Sequence, residues 1–231
     1  MSITLEKAAP HLVDLSKKLE TKIVGLKLDK VTAQVALVLD ASGSMLRQYR
    51  EGKVQKVLER LLLLALRFDD DGQIELWAFA EKNRKYKSVT LENYSGYVAH
   101  LARNASRNPI PELGGTNNEE PVIRKVIGHY KGSALPVYVL FISDGGVKSS
   151  REISAAIVEA SRRPIFWQFV GLGGRNYGVF EKLDTMEGRF VDNANFFAVD
   201  DIDDISDDEL YDKMLGEFPQ WLNEIKQKGM V

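Results

Sequence analysis

Five oxygen-bearing side chains stand out in this chain of 231 residues. Asp40, Ser42 and Ser44 lie in Asp40-Ala41-Ser42-Gly43-Ser44, directly after the apolar run Val35-Ala36-Leu37-Val38-Leu39. Thr116 follows Gly114-Gly115, and Asp144 sits in Ser143-Asp144-Gly145. Hydroxyls and carboxylates are hard ligands, suited to Mg²⁺, Mn²⁺ or Ca²⁺ rather than to zinc or copper. One divalent cation, Mg²⁺ first and Mn²⁺ or Ca²⁺ as alternatives, is therefore the expected cofactor. The competing reading makes these residues Ser/Asp turn formers and helix caps.

Such residues act together only if their elements bring them to one place. Val31 to Leu39, Pro136 to Ser143 and Pro164 to Gly171 are apolar runs of the kind buried on both faces of a parallel sheet. Gln73 to Ala80 alternates as a strand, Asn195 to Val199 is a short strand, and charged Lys82 to Leu91 suits a sheet edge. Between them, helices are expected over 12–28, 52–68, 93–103, 117–130, 150–162 and 177–187. A C-terminal helix opens with Ser206-x-x-Glu209 and lines up Leu210, Met214, Phe218, Leu222 and Ile225. This alternation predicts a doubly wound α/β fold with a mostly parallel sheet. Ligands of such sheets bind outside the carboxyl ends of the strands, where Asp40, Thr116 and Asp144 all fall. Residues 1–30 read as a helical extension packed on a domain spanning 31–231.

Composition narrows the function. With 31 Lys+Arg against 33 Asp+Glu, the net charge is −2, and no global basic field points to nucleic acid. Cysteine is absent, which excludes disulfides, thiolate metal sites and cysteine nucleophiles and suits a reducing cytoplasm. Met1 to Pro10 lacks the apolar core of a secretory signal, and Leu61 to Leu66 is far too short to span a bilayer. A cytoplasmic protein is expected. His11, His100 and His129 show no zinc-site spacing, and no G-x-S-x-G elbow occurs.

Three further stretches invite chemistry and have plainer readings. Gly171-Leu172-Gly173-Gly174-Arg175-Asn176 reads as a strand-to-helix turn rather than a phosphate loop. Asp200, Asp201, Asp203, Asp204, Asp207, Asp208 and Glu209 lack the spacing of a calcium loop and read as a solvated loop leading into a helix, with weak cation binding as the alternative. Lys82, Arg84, Lys85 and Lys87 read as a guarded sheet edge, with phosphate contact as the alternative.

The pattern D-x-S-x-S … T … D, carried by Asp40, Ser42, Ser44, Thr116 and Asp144, resembles the metal-ion-dependent adhesion site of von Willebrand factor A (VWA) domains. The stretches Gly52-Lys53-Val54-Gln55, Phe166 to Gly171, Gly188 to Ala194 and Glu217 to Leu222 are similar to the TerF-like group of these domains. The resemblance implies a sheet of about six strands with an antiparallel edge strand, residues 31–231 forming the VWA-like domain. It implies that Ser42 and Ser44 bind the metal directly, Thr116 directly or through water, and Asp40 and Asp144 largely through water. It also implies a non-enzymatic module, set in tellurium resistance and stress response, that recruits an acidic residue of another protein to complete the metal shell. The oligomeric state is open. Glu119 and Glu120 depart from the more apolar sequence expected after the threonine, and would change metal preference or repel an acidic partner. They are also the candidate general bases of the alternative, a metal-dependent phosphoester hydrolase. Metal buffering, suggested by the acidic loop, is a further alternative.

Overall fold

The computed structural model describes residues 10–69, 71–183 and 185–231. Six strands, β1 (Gln34–Asp40), β2 (Glu75–Phe79), β3 (Asn83–Lys85), β4 (Val137–Gly145), β5 (Ile165–Arg175) and β6 (Ala194–Val199), form one sheet in the order β3-β2-β1-β4-β5-β6. All pairs are parallel except β2 with β3. The helices are α1 (Val13–Gly25), α2 (Leu46–Arg50), α3 (Lys53–Phe68), α4 (Tyr97–Leu101), α5 (Glu120–His129), α6 (Ser150–Ala160), α7 (Phe180–Leu183), α8 (Asp207–Leu215) and α9 (Phe218–Gln227).

Strand alternation divides the core in two. Val35, Leu37 and Leu39 of β1 face a layer built from α1, α3, α4, α8 and α9, while Ala36 and Val38 face α5, α6 and α7. Both layers are predominantly apolar, which is why β1 and β4 carry continuous rather than alternating hydrophobic runs. The strand order reverses between β1 and β4, so the crevice at their carboxyl ends is the natural ligand position.

Local competition moves several boundaries from those expected. The edge strand shrinks to three residues plus an isolated bridge between Ile74 and Val89. Beyond it, Asn93 accepts from the Thr90 N–H and donates to the Ser88 carbonyl, making a turn that also delays α4. The single C-terminal helix becomes two. Pro219, in the first turn of α9, lacks an N–H and its ring collides with the carbonyl four residues back, at Leu215, where α8 ends. Ser206 does cap α8, its hydroxyl accepting from the Glu209 N–H at 3.2 Å.

The acidic loop is not simply solvated. Asp201 and Asp203 pair with Lys53 and Lys56 of α3, and Asp207 bonds Arg60 at 2.8 Å and Lys18 of α1 at 3.0 Å. Lys22 of α1 likewise reaches Asp212 of α8 at 2.7 Å. Among the described residues no helix is long and apolar enough to cross a membrane.

Candidate metal centre

β1 ends on Asp40, whose carboxylate is fully buried and forms no ion pair among the described residues. Three donors hold it instead. The Ser42 N–H reaches Oδ1 at 2.8 Å, the Ser143 hydroxyl reaches Oδ2 at 2.8 Å, and the Asn117 amide reaches Oδ2 at 3.4 Å. Burial pushes the Asp40 carboxyl up to about 7 against the pull of those bonds, and the charge of Asp144 adds to the rise. An adjacent cation would act in the opposite direction.

The following loop carries the hydroxyls. Ser42 Oγ and Ser44 Oγ lie 3.1 Å apart, and Ser44 Oγ donates to Asp144 Oδ1 at 2.9 Å. Asp40, Ser42, Ser44 and Asp144 thus form a continuous hydrogen-bonded chain across β1 and β4. Burial raises the Asp144 carboxyl too, opposed by the Ser44 bond. Neighbouring oxygens around an octahedral Mg²⁺ with ligands at ~2.1 Å sit about 3.0 Å apart. The two oxygen pairs, at 3.1 Å and 2.9 Å, match that spacing, which is also that of ordinary hydrogen bonds.

Thr116 stands apart from this chain. Its side chain is exposed and makes no hydrogen bond to the other four among the described residues. Its neighbours on both sides tie its loop to the site. The Gly115 carbonyl accepts from the Gly43 N–H at 3.0 Å, and Asn117 bonds both Asp40 and, at 2.7 Å, the Gly145 carbonyl.

Asp144 is aimed by an irregularity between β4 and β5. Their register shifts between Ser143 and Gly145, as a bulge would shift it. Gly145 has φ +103°, and a Cβ there would lie 2.0 Å from the Arg175 carbonyl; a Cβ on Gly174 would lie 1.5 Å from the Asp144 carbonyl. The stretch Gly171 to Arg175 is therefore not a strand-to-helix turn. It is the end of β5, and Gly174 serves close backbone approach to the Asp144 loop, while Gly171 packs on the Tyr177 ring and Gly173 on Gln48.

Asn117 and Ser143 are site residues that motif reading passed over. Their only sequence signal was a polar residue at a strand end and another beside the threonine. Glu119 and Glu120 fall apart from each other. Glu119 is buried, burial raises its carboxyl, and neither of its carboxylate oxygens has a hydrogen-bond partner among the described residues. Glu120 pairs with Arg124 along α5.

The donors are hydroxyl and carboxylate oxygens throughout. Among the described residues no group of three or more His, Cys, Asp or Glu side chains is arranged to hold a metal, so a cation here would depend on the serines. With two carboxylates and two or three neutral hydroxyls, the set suits a hard divalent ion.

Residues 32–231 match the vWA-TerF-like family, described as the vWA found in the TerF C terminus. Over 224 residues the chain is 46% identical to an uncharacterized Bacillus subtilis (strain 168) protein, YcbR, covering 95% of this chain and 90% of that one. Solved structures share the fold at low identity. A von Willebrand factor type A protein from Catenulispora acidiphila has a TM-score of 0.53 at 14% identity, over 81% of this chain and 42% of that chain. Proximal thread matrix protein 1 from the mussel byssus, with a zinc-occupied MIDAS motif, has a TM-score of 0.50 at 14% identity, over 80% and 47%. The PilB minor pilin from Streptococcus sanguinis gives 0.51 at 12% identity, over 84% and 62%. The chain thus spans between 42% and 62% of these solved chains. With its six-stranded sheet and its matched span, the chain belongs to the vWA-TerF-like family of VWA domains.

Proposed function

We propose that this chain is a non-enzymatic interaction module that engages an acidic group of another protein through a divalent cation. The observation that carries the reading is the chain of hydrogen bonds joining Asp40, Ser42, Ser44 and Asp144 at the carboxyl ends of β1 and β4. Ser42, Ser44 and Thr116 would hold the cation directly, with Asp40 and Asp144 holding its waters and neighbours. When bound, the cation supplies a positive charge that neutral hydroxyls leave incompletely compensated, and a position open to a partner's carboxylate. Ser143 and Asn117 keep Asp40 oriented, and Gly43 locks the serine loop to the loop of Thr116. The zinc named for the mussel protein's MIDAS motif supports a cation at this position of the fold. Mg²⁺ is the ion we propose, with Mn²⁺ or Ca²⁺ able to substitute.

The setting we propose, from the TerF-like family alone, is bacterial tellurium resistance and stress response in the cytoplasm. Hydrolysis receives less support, because Glu120 is paired with Arg124 and Glu119 is fully buried. Buffering receives less support because Asp201, Asp203 and Asp207 already hold Lys53, Lys56 and Arg60.

The test is water-proton relaxation of the Mn²⁺-loaded protein, titrated with a glutamate-containing peptide and with its glutamine counterpart. Displacement of metal-bound water by the glutamate peptide alone is the expected result. Equal effects of both peptides, or none from either, would overturn the open-position reading.

A further inference from the structure

The basic cluster at 82–87 has a use that edge protection does not explain. Strand alternation splits it. Lys85 turns to one face, paired with Glu75 and lying 5.2 Å from the Trp77 ring centroid. Arg84 and Tyr86 turn to the other face, the guanidinium 5.5 Å from the Tyr86 ring centroid. There they meet α4 and the turn Pro111–Leu113, which the Lys82 N–H joins to β3 by a 2.9 Å bond to the Leu113 carbonyl. Between these elements lies a cleft of about 530 Å³, a size typical of small-molecule sites.

Its walls combine three chemistries. Arg84, Lys87 and Arg103 line it, and none of them forms an ion pair among the described residues. By contrast, Lys53, Lys56, Arg60, Arg67 and Arg124 are all paired with carboxylates. Uncompensated cations around a concavity focus field there and attract an anion, and arginine suits phosphate by its forked donors. Tyr97 lines the cleft with a ring against which a planar group can stack, and Tyr86 lies under the Arg84 guanidinium. Glu112 supplies one carboxylate, which repels a bare polyanion and accepts from a hydroxyl or amine donor. The Tyr97 hydroxyl donates to the Lys87 carbonyl and so ties α4 to the segment after β3, while Arg103 Nη1 donates to the His100 carbonyl of its own turn at 3.1 Å.

We propose that this cleft binds a nucleotide, its phosphates on Arg84, Lys87 and Arg103, its ring against Tyr97 and a donor group on Glu112. The site shares no residue with the candidate metal centre, and it stands or falls independently of that reading.

The experiment is calorimetric titration of the full chain with ADP in EDTA, which removes any metal bridge to phosphate. Parallel titrations use pyrophosphate and a short single-stranded RNA. The expected result is saturable one-to-one ADP binding, weaker pyrophosphate binding, and roughly a tenfold or greater loss of ADP affinity in Arg84→Gln/Arg103→Gln. Asp40→Ala should bind ADP like the native chain, and an unchanged melting temperature of the arginine variant should show that it is folded. If that variant melts early, Lys87→Gln alone must still weaken ADP binding. Absence of saturable ADP binding, or affinity indifferent to these substitutions, overturns the proposal. So does pyrophosphate binding as tightly as ADP, the mark of a plain anion patch. RNA binding more tightly than ADP, with a steep salt dependence, would overturn it in favour of a nucleic-acid surface.

Discussion

Asp40 is the residue on which the candidate centre turns, because it is buried, acidic and oriented by neighbours rather than neutralised by a cationic side chain. Of its three donors, Ser143 is the one whose loss leaves Oδ2 with only the long 3.4 Å contact from Asn117. Groups that orient a metal's ligands typically contribute 10–100-fold to affinity. Ser143→Ala is therefore expected to lower Mg²⁺ affinity by roughly tenfold or more while the protein stays folded, as calorimetry beside a thermal melt would show. Gly174→Ala should do worse. Its Cβ would collide with the Asp144 carbonyl, a backbone atom that has nowhere to move, at a cost we put above about 2 kcal/mol. Denaturant unfolding should show that loss, and a stability equal to the native chain would contradict the close-approach account. At this scale the motif was legible because its five members are the kind of residue that chemistry singles out. Ser143 and Asn117 were not, since a polar residue at a strand end serves equally well in a turn and only the fold shows which oxygen it meets.

At the scale of elements, the apolar runs predicted β1, β4 and β5 because burial on both faces leaves no polar position in a strand. What was not legible depended on contacts between distant segments. The split between α8 and α9 was signalled by Pro219, but the continuous stripe Leu210, Met214, Phe218, Leu222 and Ile225 outweighed it, and all five are indeed buried. The acidic loop looked solvated because its partners lie on α3, at Lys53, Lys56 and Arg60, which share one helical face but are 147 or 148 residues away in sequence. These pairs clasp the loop to α3. Asp201→Asn/Asp203→Asn/Asp207→Asn should lower the melting temperature, and the difference from the native chain should shrink in 1 M salt as screening removes the attraction. A difference that salt leaves unchanged would mean that packing, not charge, holds the loop.

The whole molecule is a sheet with chemistry at both ends. At the end opposite the serine loop, Asp69 accepts from the Val35 N–H at 2.7 Å and from the Asp71 N–H at 3.1 Å. Burial, with Asp71 beside it, pushes its carboxyl up to about 7. An acid raised in the fold is destabilising when ionised. Its cost is full above about pH 7 and is relieved as pH falls toward the ordinary carboxylate value of 3.8. Stability should therefore gain more on going from pH 8 to pH 5 in the native chain than in Asp69→Asn, a comparison that thermal melts at the two pH values would make. The other end carries the central claim, that Asp40, Ser42, Ser44, Thr116 and Asp144 hold one hard divalent cation. Calorimetric titration of metal-stripped protein with Mg²⁺, Mn²⁺ and Ca²⁺, beside Asp40→Ala and Ser42→Ala/Ser44→Ala, tests that claim most directly. A single site that is lost in both variants is the predicted result; no binding in the native chain, or binding that both variants retain, would contradict it.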